Sequence, residues 1–286
     1  MKPKITFVNH ASVLFSYGKI NLITDPWLFG SAFNNSWDLI SKSKLDISDF
    51  KNITHIWFSH EHPDHFFPFV LNKIPENFRK KIQVYFQDTL DHRVAQKCKE
   101  LGFQVIEMKH GKFYDLTDDF KIMCKPYMLY DSWLYLQIGD KKILNLNDCG
   151  VDSSTQASFI HKKTGDVDLL LTQFGYAAHI GDPDDVDLRK NAAKEKLQRI
   201  QIQCDVFKPK YIIPFASFIR FSHIDNMYMN DQVNKIGDVE NFIKNNTIAK
   251  PIILYPGDEW DLTSNHENMD AIQKYEKDLM TDFLPH

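Results

Sequence analysis

The alternation of hydrophobic and polar positions predicts β-strands at the start of the chain. Residues 4–24 contain three short runs with strand-like alternation, KITFV, SVLFSY and INLIT. Asn9 and the segment Tyr17-Gly18-Lys19 separate these runs and are typical of tight turns. We therefore expect an antiparallel meander or hairpin at this end of the chain.

Further strand-like runs and two helical segments follow. The first helical segment, residues 89–102, is expected to begin at a Thr89 cap and to end at Gly102. The second, residues 184–207, has acidic residues first and basic residues later, as the helix dipole favours. The remaining apolar runs are IQVYF, FQVIEM, FKIMC, WLYLQI, KKILNL, DLLLT, YIIPF and PIILY. Strands and helices are thus mixed throughout, which predicts an α/β fold.

No Gly/Ser/Pro-rich linker and no internal repeat divides the sequence. We therefore expect a single domain over residues 1–262, with two sheets facing each other and helices outside. Residues 263–286 are predicted to be a polar C-terminal tail, partly disordered. A hydrophobic content of 43% is ample for a sizeable core.

The charge pattern and the apolar runs exclude several classes of partner. The formal net charge is −4 and no block of like charges occurs, which disfavours nucleic acid as a partner. No apolar stretch is long enough to span a bilayer, and the first ten residues lack a signal-peptide core. The four cysteines show no C-x-x-C spacing. We expect a cytoplasmic protein with reduced thiols that acts on a small molecule.

The strongest chemical signal is FSHEHPDHF, residues 58–66, directly after a buried-strand pattern. A polar loop after the strand would direct His60 and His62 toward one point and Asp64 and His65 toward a second. Such donors suit two transition-metal ions a few ångströms apart. The alternative is a histidine-rich surface loop. Glu61 lies between the donors and is expected to point into solvent.

The order H-E-H-P-D-H resembles the metal-binding signature of the metallo-β-lactamase superfamily. The resemblance implies an αββα sandwich with the metal ions at one edge. It also implies a supporting aspartate at Asp25, a bridging ligand at Asp148 and a further ligand at His223. Asp25 precedes Pro26, so an aspartate that only initiates a turn fits the sequence equally well.

Longer segments resemble the metallo-β-lactamase-like domain of the CMP-N-acetylneuraminate hydroxylase family. They are residues 5–37, 58–66, 141–149 and 209–223, and the resemblance extends over most of residues 4–245. That family inserts one oxygen atom of O2 into an N-acetyl methyl group with electrons from a Rieske iron–sulfur domain. Because the sandwich begins at residue 4, no Rieske domain is expected here. An oxidase would then need an external electron donor as a partner.

The third metal-binding histidine of the family has no counterpart at its expected place. The sequence there reads KPYMLYDSW, with Tyr127 near that place and Asp131 close by. Asp131 is a candidate ligand, although a hydrogen-bonded aspartate at a strand start is the alternative. A ligand harder than imidazole would favour iron or manganese over zinc. His179, in the loop after the DLLLT strand, is another candidate ligand, or else an ordinary loop histidine.

Several residues near the motifs are candidates for catalysis or substrate binding. His10 matches a histidine of the hydroxylase family and of related hydrolases, so it is a candidate proton-transfer or supporting group, or else a turn histidine. His10, Asp64 and Asp148 are the predicted catalytic residues. Arg220 could clamp an anionic substrate or form a surface salt bridge. Tyr127 and Trp27 complete the candidate substrate contacts, although core packing is the alternative for the aromatic residues.

Two chemistries remain open, together with a non-catalytic metal-binding role. In the first, two iron ions activate O2 for hydroxylation of a small metabolite, as the resemblance implies. In the second, zinc, manganese or iron activates water for attack on an ester, lactone, amide or phosphodiester. The first is favoured by the extent of the hydroxylase resemblance. The second needs no electron donor.

Overall fold

Sixteen strands are formed within the described residues, 2–281 and 283–286, of the computed structural model. The strands are β1 (Lys4–Asn9), β2 (Ser12–Tyr17), β3 (Ile20–Thr24), β4 (Trp37–Leu39), β5 (His55–Trp57), β6 (Gln83–Gln87), β7 (Gln104–Met108), β8 (Phe113–Thr117), β9 (Phe120–Tyr127), β10 (Asp131–Ile138), β11 (Lys141–Asn147), β12 (Leu169–Gln173), β13 (Tyr211–Phe215), β14 (Ile219–Phe221), β15 (Lys250–Pro251) and β16 (Glu259–Trp260).

The described residues also form seven α-helices and two 3₁₀ helices. The α-helices are α1 (Pro68–Lys73), α2 (Glu76–Arg79), α3 (Arg93–Glu100), α4 (Ser154–Thr164), α5 (Val186–Phe207), α6 (Ile236–Asn246) and α7 (Asn268–Leu279). The 3₁₀ helices are Ile47–Lys51 and Met227–Gln232.

The chain divides into two compact units. Unit 1 comprises Met1–Phe29, Lys42–Lys141 and Pro256–Asn265, and unit 2 comprises Gly30–Ser41, Lys142–Tyr255 and His266–His286. The single domain at residues 1–262 stays a prediction from the sequence.

Unit 1 contains a seven-stranded sheet in the order β16-β1-β2-β3-β5-β6-β7. Strands β1, β2 and β3 pair in antiparallel fashion, which confirms the predicted meander. From β3 to β7 the pairing is parallel, because helices and loops return the chain to the same end of the sheet. Strands β8, β9 and β10 of unit 1 form an antiparallel meander.

The core of unit 1 lies among β3, β5, β6 and the helices α1 and α3. Ile56, Phe58 and Val84 are fully buried or nearly so, together with Val70 and Cys98 from the two helices. Burial of apolar side chains at alternate strand positions fixes the register, since a slip of one residue would turn them to the other face. The ends of β3 and β5 are therefore held firmly, and the predicted metal motif follows β5 directly.

Helix α3 begins at Arg93, three residues later than a Thr89 cap would place it. The Thr89 hydroxyl donates instead to the Asp91 carboxylate at 3.1 Å, which also accepts from the backbone N–H of Arg93. His92, in the left-handed region at φ 53°, is the residue that precedes the helix. The predicted cap is therefore wrong, because Asp91 organises the loop before the helix. The predicted stop at Gly102 is confirmed by its φ of 88° after a helix that ends at Glu100.

Unit 2 contains the parallel strands β11, β12, β13 and β15 and the antiparallel pair β4 and β14. The 22-residue helix α5 follows β12 and agrees with the predicted helical segment at residues 184–207. Only Pro251 of the PIILY run lies in a strand, β15, although Ile252, Ile253 and Leu254 are buried. Burial of an apolar run thus occurs here without a full ladder of strand hydrogen bonds.

The segment predicted to be a polar tail contains α7. Ala271, Ile272 and Tyr275 lie on its buried face, and the Tyr275 hydroxyl donates to the carbonyl oxygen of Leu254 at 2.9 Å. Disorder is therefore a wrong expectation for residues 268–279, because apolar residues at helical spacing give this segment a face to bury. None of the helices formed by the described residues has the length and apolar character needed to cross a membrane.

We predict that His55 makes unit 1 sensitive to acid. Burial lowers the pKa of His55 from 6.5 to about 4, so the folded protein keeps the imidazole neutral where the unfolded chain already binds a proton. Its contribution to stability should therefore decline as the pH falls from 6.5 to about 4. The His55→Phe variant retains a ring to stack on Tyr85 and should lose this dependence.

Urea midpoints of both proteins, measured from neutral pH downward, test this expectation. The difference between the two urea midpoints should be constant near neutral pH. In the acidic range the midpoint of wild type should fall relative to that of the variant. A difference that is independent of pH would show that His55 does not titrate abnormally.

Candidate metal centre

The carboxylate of Asp25 is the centre of a buried hydrogen-bond network in unit 1. Asp25 directly follows β3, and Ser59 follows β5, so parallel pairing brings the two residues to the same sheet edge. Ser59 donates its backbone N–H to Oδ1 of Asp25 at 2.8 Å and its hydroxyl to Oδ2 at 2.7 Å. The ring atom Nδ1 of His65 lies 2.9 Å from the same Oδ2. These are the contacts that a supporting aspartate would make, and the supporting role of Asp25 stays a prediction.

These contacts define which nitrogen of each histidine is available as a ligand. A carboxylate only accepts hydrogen bonds, so Nδ1 of His65 donates to Asp25 and Nε2 carries the lone pair. The Ser59 hydroxyl has one proton, which it gives to Asp25. Its 2.9 Å contact with Nδ1 of His60 therefore requires that His60 donates. Both histidines are consequently held in the tautomer that presents Nε2 to a metal ion.

His60 and His62 approach each other as two ligands of one ion would. Nε2 of the buried His60 lies 2.9 Å from Nδ1 of the exposed His62. Two nitrogen ligands on one tetrahedral zinc ion would lie roughly 3.3 Å apart, so the observed hydrogen-bond spacing is slightly shorter than that of a ligand pair. Asp131 places Oδ1 3.8 Å from Nδ1 of His60. This distance is too long for a hydrogen bond, and the candidate role of Asp131 as a ligand stays a prediction.

Asp64 forms a second group of donors with His10 and His65. Its Oδ2 lies 3.3 Å from Nε2 of His10 and 3.4 Å from Nε2 of His65, and all three side chains are buried. Burial alone would raise the pKa of Asp64, but His65 and His10 outweigh it and hold the pKa well below its usual range. Asp64 is therefore an ionised carboxylate at neutral pH.

The chemistry of this group fits a metal ion. One ligand atom from each of His10, Asp64 and His65 lies within 4.8 Å of the others. Oδ1 of Asp64 is buried and has no hydrogen-bond partner among the described residues. A buried carboxylate oxygen without a partner is costly unless a cation or a donor satisfies it. Imidazole nitrogen and carboxylate oxygen are ligands for iron, zinc and manganese.

Unit 2 orients the predicted ligand Asp148 by a separate set of contacts. Asp148 follows β11 after Asn147, which has a positive φ of 36° and accepts the backbone N–H of Asp148 at 2.6 Å. The side-chain amide of Gln173, at the end of β12, donates to Oδ1 of Asp148 at 3.0 Å. Lys196 of α5 donates in turn to Oε1 of Gln173. A half-buried carboxylate is thus supported by a chain of two side chains.

The other two predicted ligands of unit 2 lie in loops. His179 is exposed in the loop between β12 and α5. His223 is half-buried after β14, and its Nδ1 lies 3.2 Å from the backbone nitrogen of Asp225. This contact occupies one ring nitrogen of His223 and leaves Nε2 as the candidate ligand atom. The roles of His179 and His223 stay predictions.

The three candidate substrate contacts have different environments. Arg220 donates to the backbone carbonyls of Asp278 at 2.9 Å, Leu279 at 3.2 Å and Thr281 at 3.3 Å. These bonds satisfy the carboxyl end of α7 and give Arg220 a structural role. Trp27 is fully buried, with its ring edge-on to His10 at a centroid distance of 5.6 Å, so core packing accounts for it. Tyr127 is half-buried at the end of β9, and its substrate role stays a prediction.

The sequence offered weak signals for the residues that support the ligands. Ser59 directly precedes His60 but looks like an ordinary loop serine. Its carbonyl oxygen accepts from the Ser132 hydroxyl at 2.6 Å, and the Gln87 amide lies 3.4 Å from the same oxygen. Ser132 and Gln87 are far from the motif in sequence, and only their burial at strand ends distinguishes them.

Comparison with known proteins identifies related sequences. The family model described as "Beta-lactamase superfamily domain" matches residues 4–215. The human protein named inactive cytidine monophosphate-N-acetylneuraminic acid hydroxylase is 24% identical over 281 residues, which cover 91% of this chain and 54% of that protein. The hydroxylase of Cricetulus griseus is also 24% identical and is covered to 48%. The chain thus spans about half the length of these curated relatives.

Solved structures share the fold at low sequence identity. CmlA, a diiron β-hydroxylase from Streptomyces venezuelae, has a TM-score of 0.61 at 14% identity, covering 88% of this chain and 53% of that one. The isothiocyanate hydrolase from Delia radicum gut bacteria has a TM-score of 0.62 at 15% identity, covering 90% and 98%. The predicted α/β fold class, the αββα metallo-β-lactamase sandwich, is confirmed by the family match and by these structures. The resemblance to the hydroxylase family is likewise confirmed.

We predict that Asp25 controls metal binding through the two residues that contact it. The Asp25→Ala variant removes the acceptor that orients His65 and Ser59, so we expect metal affinity to fall by about 10- to 100-fold. The measurement is titration of chelator-treated protein with Zn²⁺ by calorimetry. Asp115→Ala is the control, because Asp115 is an exposed carboxylate of unit 1 that pairs with Lys121. Unchanged affinity in a folded Asp25→Ala protein would contradict the supporting role.

We predict that Arg220 stabilises the carboxyl end of α7. Removal of the guanidinium in Arg220→Ala eliminates its hydrogen bonds to three carbonyl oxygens and should lower the free energy of unfolding by about 1–2 kcal/mol. Urea denaturation measures the change. Lys277→Ala, on an exposed position of the same helix, should change it by less than about 0.5 kcal/mol. Equal free energies of unfolding for wild type and Arg220→Ala would contradict the structural role and favour the hypothesis that Arg220 clamps an anionic substrate.

Proposed function

Because this chain belongs to the beta-lactamase superfamily domain family, we propose that it is a metal-dependent enzyme with a dinuclear site that uses O2 to hydroxylate a small metabolite. The observation that carries the metal-dependent part is Oδ1 of Asp64, a buried carboxylate oxygen without a partner among the described residues, beside His65 and His10. The choice of hydroxylation is supported by the sequence relatives that cover most of this chain, which are named as hydroxylases.

The proposed ligands are the donors of the motif together with residues expected from the sequence. His60, His62, Asp64 and His65 are the proposed ligands from unit 1. The sequence predicts Asp148, His223 and His179 as further ligands. When bound, iron would supply activation of dioxygen, and zinc or manganese would supply polarisation of water.

The chain's own residues would orient the ligands and hold a proton. Asp25 and Ser59 fix the tautomers of His60 and His65, so neither imidazole has to reorganise to bind. His10 places Nε2 3.3 Å from Oδ2 of Asp64 and can hold a proton at that atom beside the ionised carboxylate. Burial of His10, Asp64 and His65 excludes water from these contacts, which strengthens their electrostatic interaction. For hydroxylation, an external electron donor is a further proposed partner.

A metal-dependent hydrolase is the second candidate function. The observation that favours it is the pair formed by His10 and the ionised Asp64, since proton removal from water needs such an acceptor near the site. An ester, lactone, amide or phosphodiester would be the substrate. This chemistry would need no electron donor.

Metal content of the purified protein separates the two functions. We expect about two iron ions per chain after anaerobic purification, and consumption of O2 when a chemical reductant is supplied. Zinc in place of iron, with hydrolysis of an activated ester and no O2 consumption, would favour the hydrolase. A protein that takes up no metal under either condition would contradict both proposals.

Variants of the motif test whether it is the site. His60→Ala and His62→Ala should each lose most of the bound metal, because each removes one proposed ligand. Glu61→Gln is the matched control between them: Glu61 pairs with Arg93 at 3.0 Å on the surface, so this change should leave metal content unaltered. Full metal content in either histidine variant would show that the motif does not bind the ions.

A further inference from the structure

We infer that Lys196 is a positioning residue for the metal ligand Asp148 and that it acts through the side chain of Gln173. The inference deepens the proposed function and rests on it, because Asp148 is a ligand only in that proposal. It concerns unit 2 alone.

Helix α5 carries a polar stripe that contacts three loops of unit 2. Arg189, Lys196 and Gln203 are spaced by seven residues, two helical turns, and therefore share one face of the helix. We call these three residues the α5 stripe. Arg189 and Gln203 are fully buried and Lys196 is half-buried, although long polar side chains usually lie in solvent.

Gln203 and Arg189 of the α5 stripe bind segments near predicted ligands in the sequence. Gln203 donates to the carbonyl oxygen of Val151 at 3.0 Å, in the turn after Asp148. Arg189 forms two 2.8 Å bonds with the carboxylate of Asp231, which lies beyond His223 in the sequence. Arg189 also donates to the carbonyls of residues 182 and 183 at 2.6 and 2.8 Å, in the loop that carries His179.

Lys196 differs from the other two because it reaches a predicted ligand itself, through one intermediate. Its Nζ donates to Oε1 of Gln173, and Nε2 of Gln173 donates to Oδ1 of Asp148 at 3.0 Å. An ammonium group only donates and a carboxylate only accepts, so the amide of Gln173 has a single orientation that satisfies both neighbours. Gln173 is buried, and solvent does not compete for its amide.

The chain of contacts has an electrostatic consequence for Asp148. A cation on Oε1 polarises the amide of Gln173 and strengthens the hydrogen bond that its N–H donates to the carboxylate. That bond fixes the direction of Oδ1 and leaves the carboxylate one orientation for ligation. Supporting contacts of this kind typically change metal affinity by about 10- to 100-fold when they are removed. A residue that only filled space could be replaced by an apolar side chain without this loss.

The test compares Lys196→Met with Lys194→Met. Lys194 is exposed on the same helix and lies off the α5 stripe, so its variant controls for the loss of one positive charge. Chelator-treated proteins are titrated with Co²⁺, followed by calorimetry and by the visible absorption of the bound ion. Lys196→Met should bind at least one equivalent of Co²⁺ about tenfold more weakly than wild type, and the visible spectrum of the bound Co²⁺ should change. Lys194→Met should match wild type in both affinity and spectrum. Urea denaturation confirms that the variants are folded.

A double-mutant cycle tests the route through Gln173. If Lys196 acts through Gln173, the Gln173→Met variant should lose at least as much affinity as Lys196→Met. The double variant should then lose no more than Gln173→Met alone. Additive losses would show that Lys196 acts independently of Gln173 and would overturn the inference. Gln173→Met also provides the test if Lys196→Met does not fold.

Failure of the inference and failure of the proposed function give different results. Wild-type affinity and spectrum in folded Lys196→Met would overturn the positioning role and leave the metal-dependent function in place. A wild-type protein that binds no Co²⁺ would overturn the proposed function and, with it, the role assigned to Lys196.

Discussion

The hydrogen bonds between Ser59 and the carboxylate of Asp25 are the constraint on which the candidate metal centre of unit 1 depends. Burial of a carboxylate is costly, and here the backbone N–H and hydroxyl of Ser59 and the imidazole of His65 offset that cost together. Parallel pairing of β3 with β5 brings Asp25 and Ser59 together. The apolar positions that bury these strands thus also determine which nitrogen of His60 and His65 faces outward. The carboxylate of Asp25 therefore links the packing of β3 and β5 to the orientation of the candidate ligands.

In unit 2, side chains of helix α5 hold the predicted ligand segments in place. Asp148 and His179 follow β11 and β12, parallel strands whose carboxyl ends share an edge, as ligands do in open parallel sheets. The loops after those strands bury apolar residues such as Val151 and Phe174, and polar contacts from α5 add to this packing. Buried polar groups of this kind are costly if one partner is lost, which makes the loop conformations specific. A long helix beside a sheet therefore serves as a scaffold for the site as well as for the core.

Much of the fold and the obvious donors could be predicted from the sequence, and the supporting contacts could not. Alternating apolar residues predicted β1, β2 and β3, and the density of donors at residues 58–66 predicted a metal motif. The Thr89 cap is a wrong prediction because the local pattern does not reveal that the Asp91 carboxylate accepts both the Thr89 hydroxyl and the backbone N–H of Arg93. Lys196 and Gln173 carry no local signal at all. Their partners are distant in sequence, and only the folded chain brings them together.

The supporting contacts bear on metal binding as directly as the ligands do, but they do not select the metal. The same imidazoles and carboxylates can bind iron for oxidation or zinc for hydrolysis. In unit 1, the carboxylate of Asp25 lies 2.9 Å from Nδ1 of His65. A carboxylate that accepts this N–H fixes the orientation of the imidazole and makes it a more basic ligand. Such carboxylate–histidine pairs support zinc as well as redox-active metals, so the arrangement would strengthen a site for either ion. The choice between the two chemistries therefore depends on which ion the protein takes up.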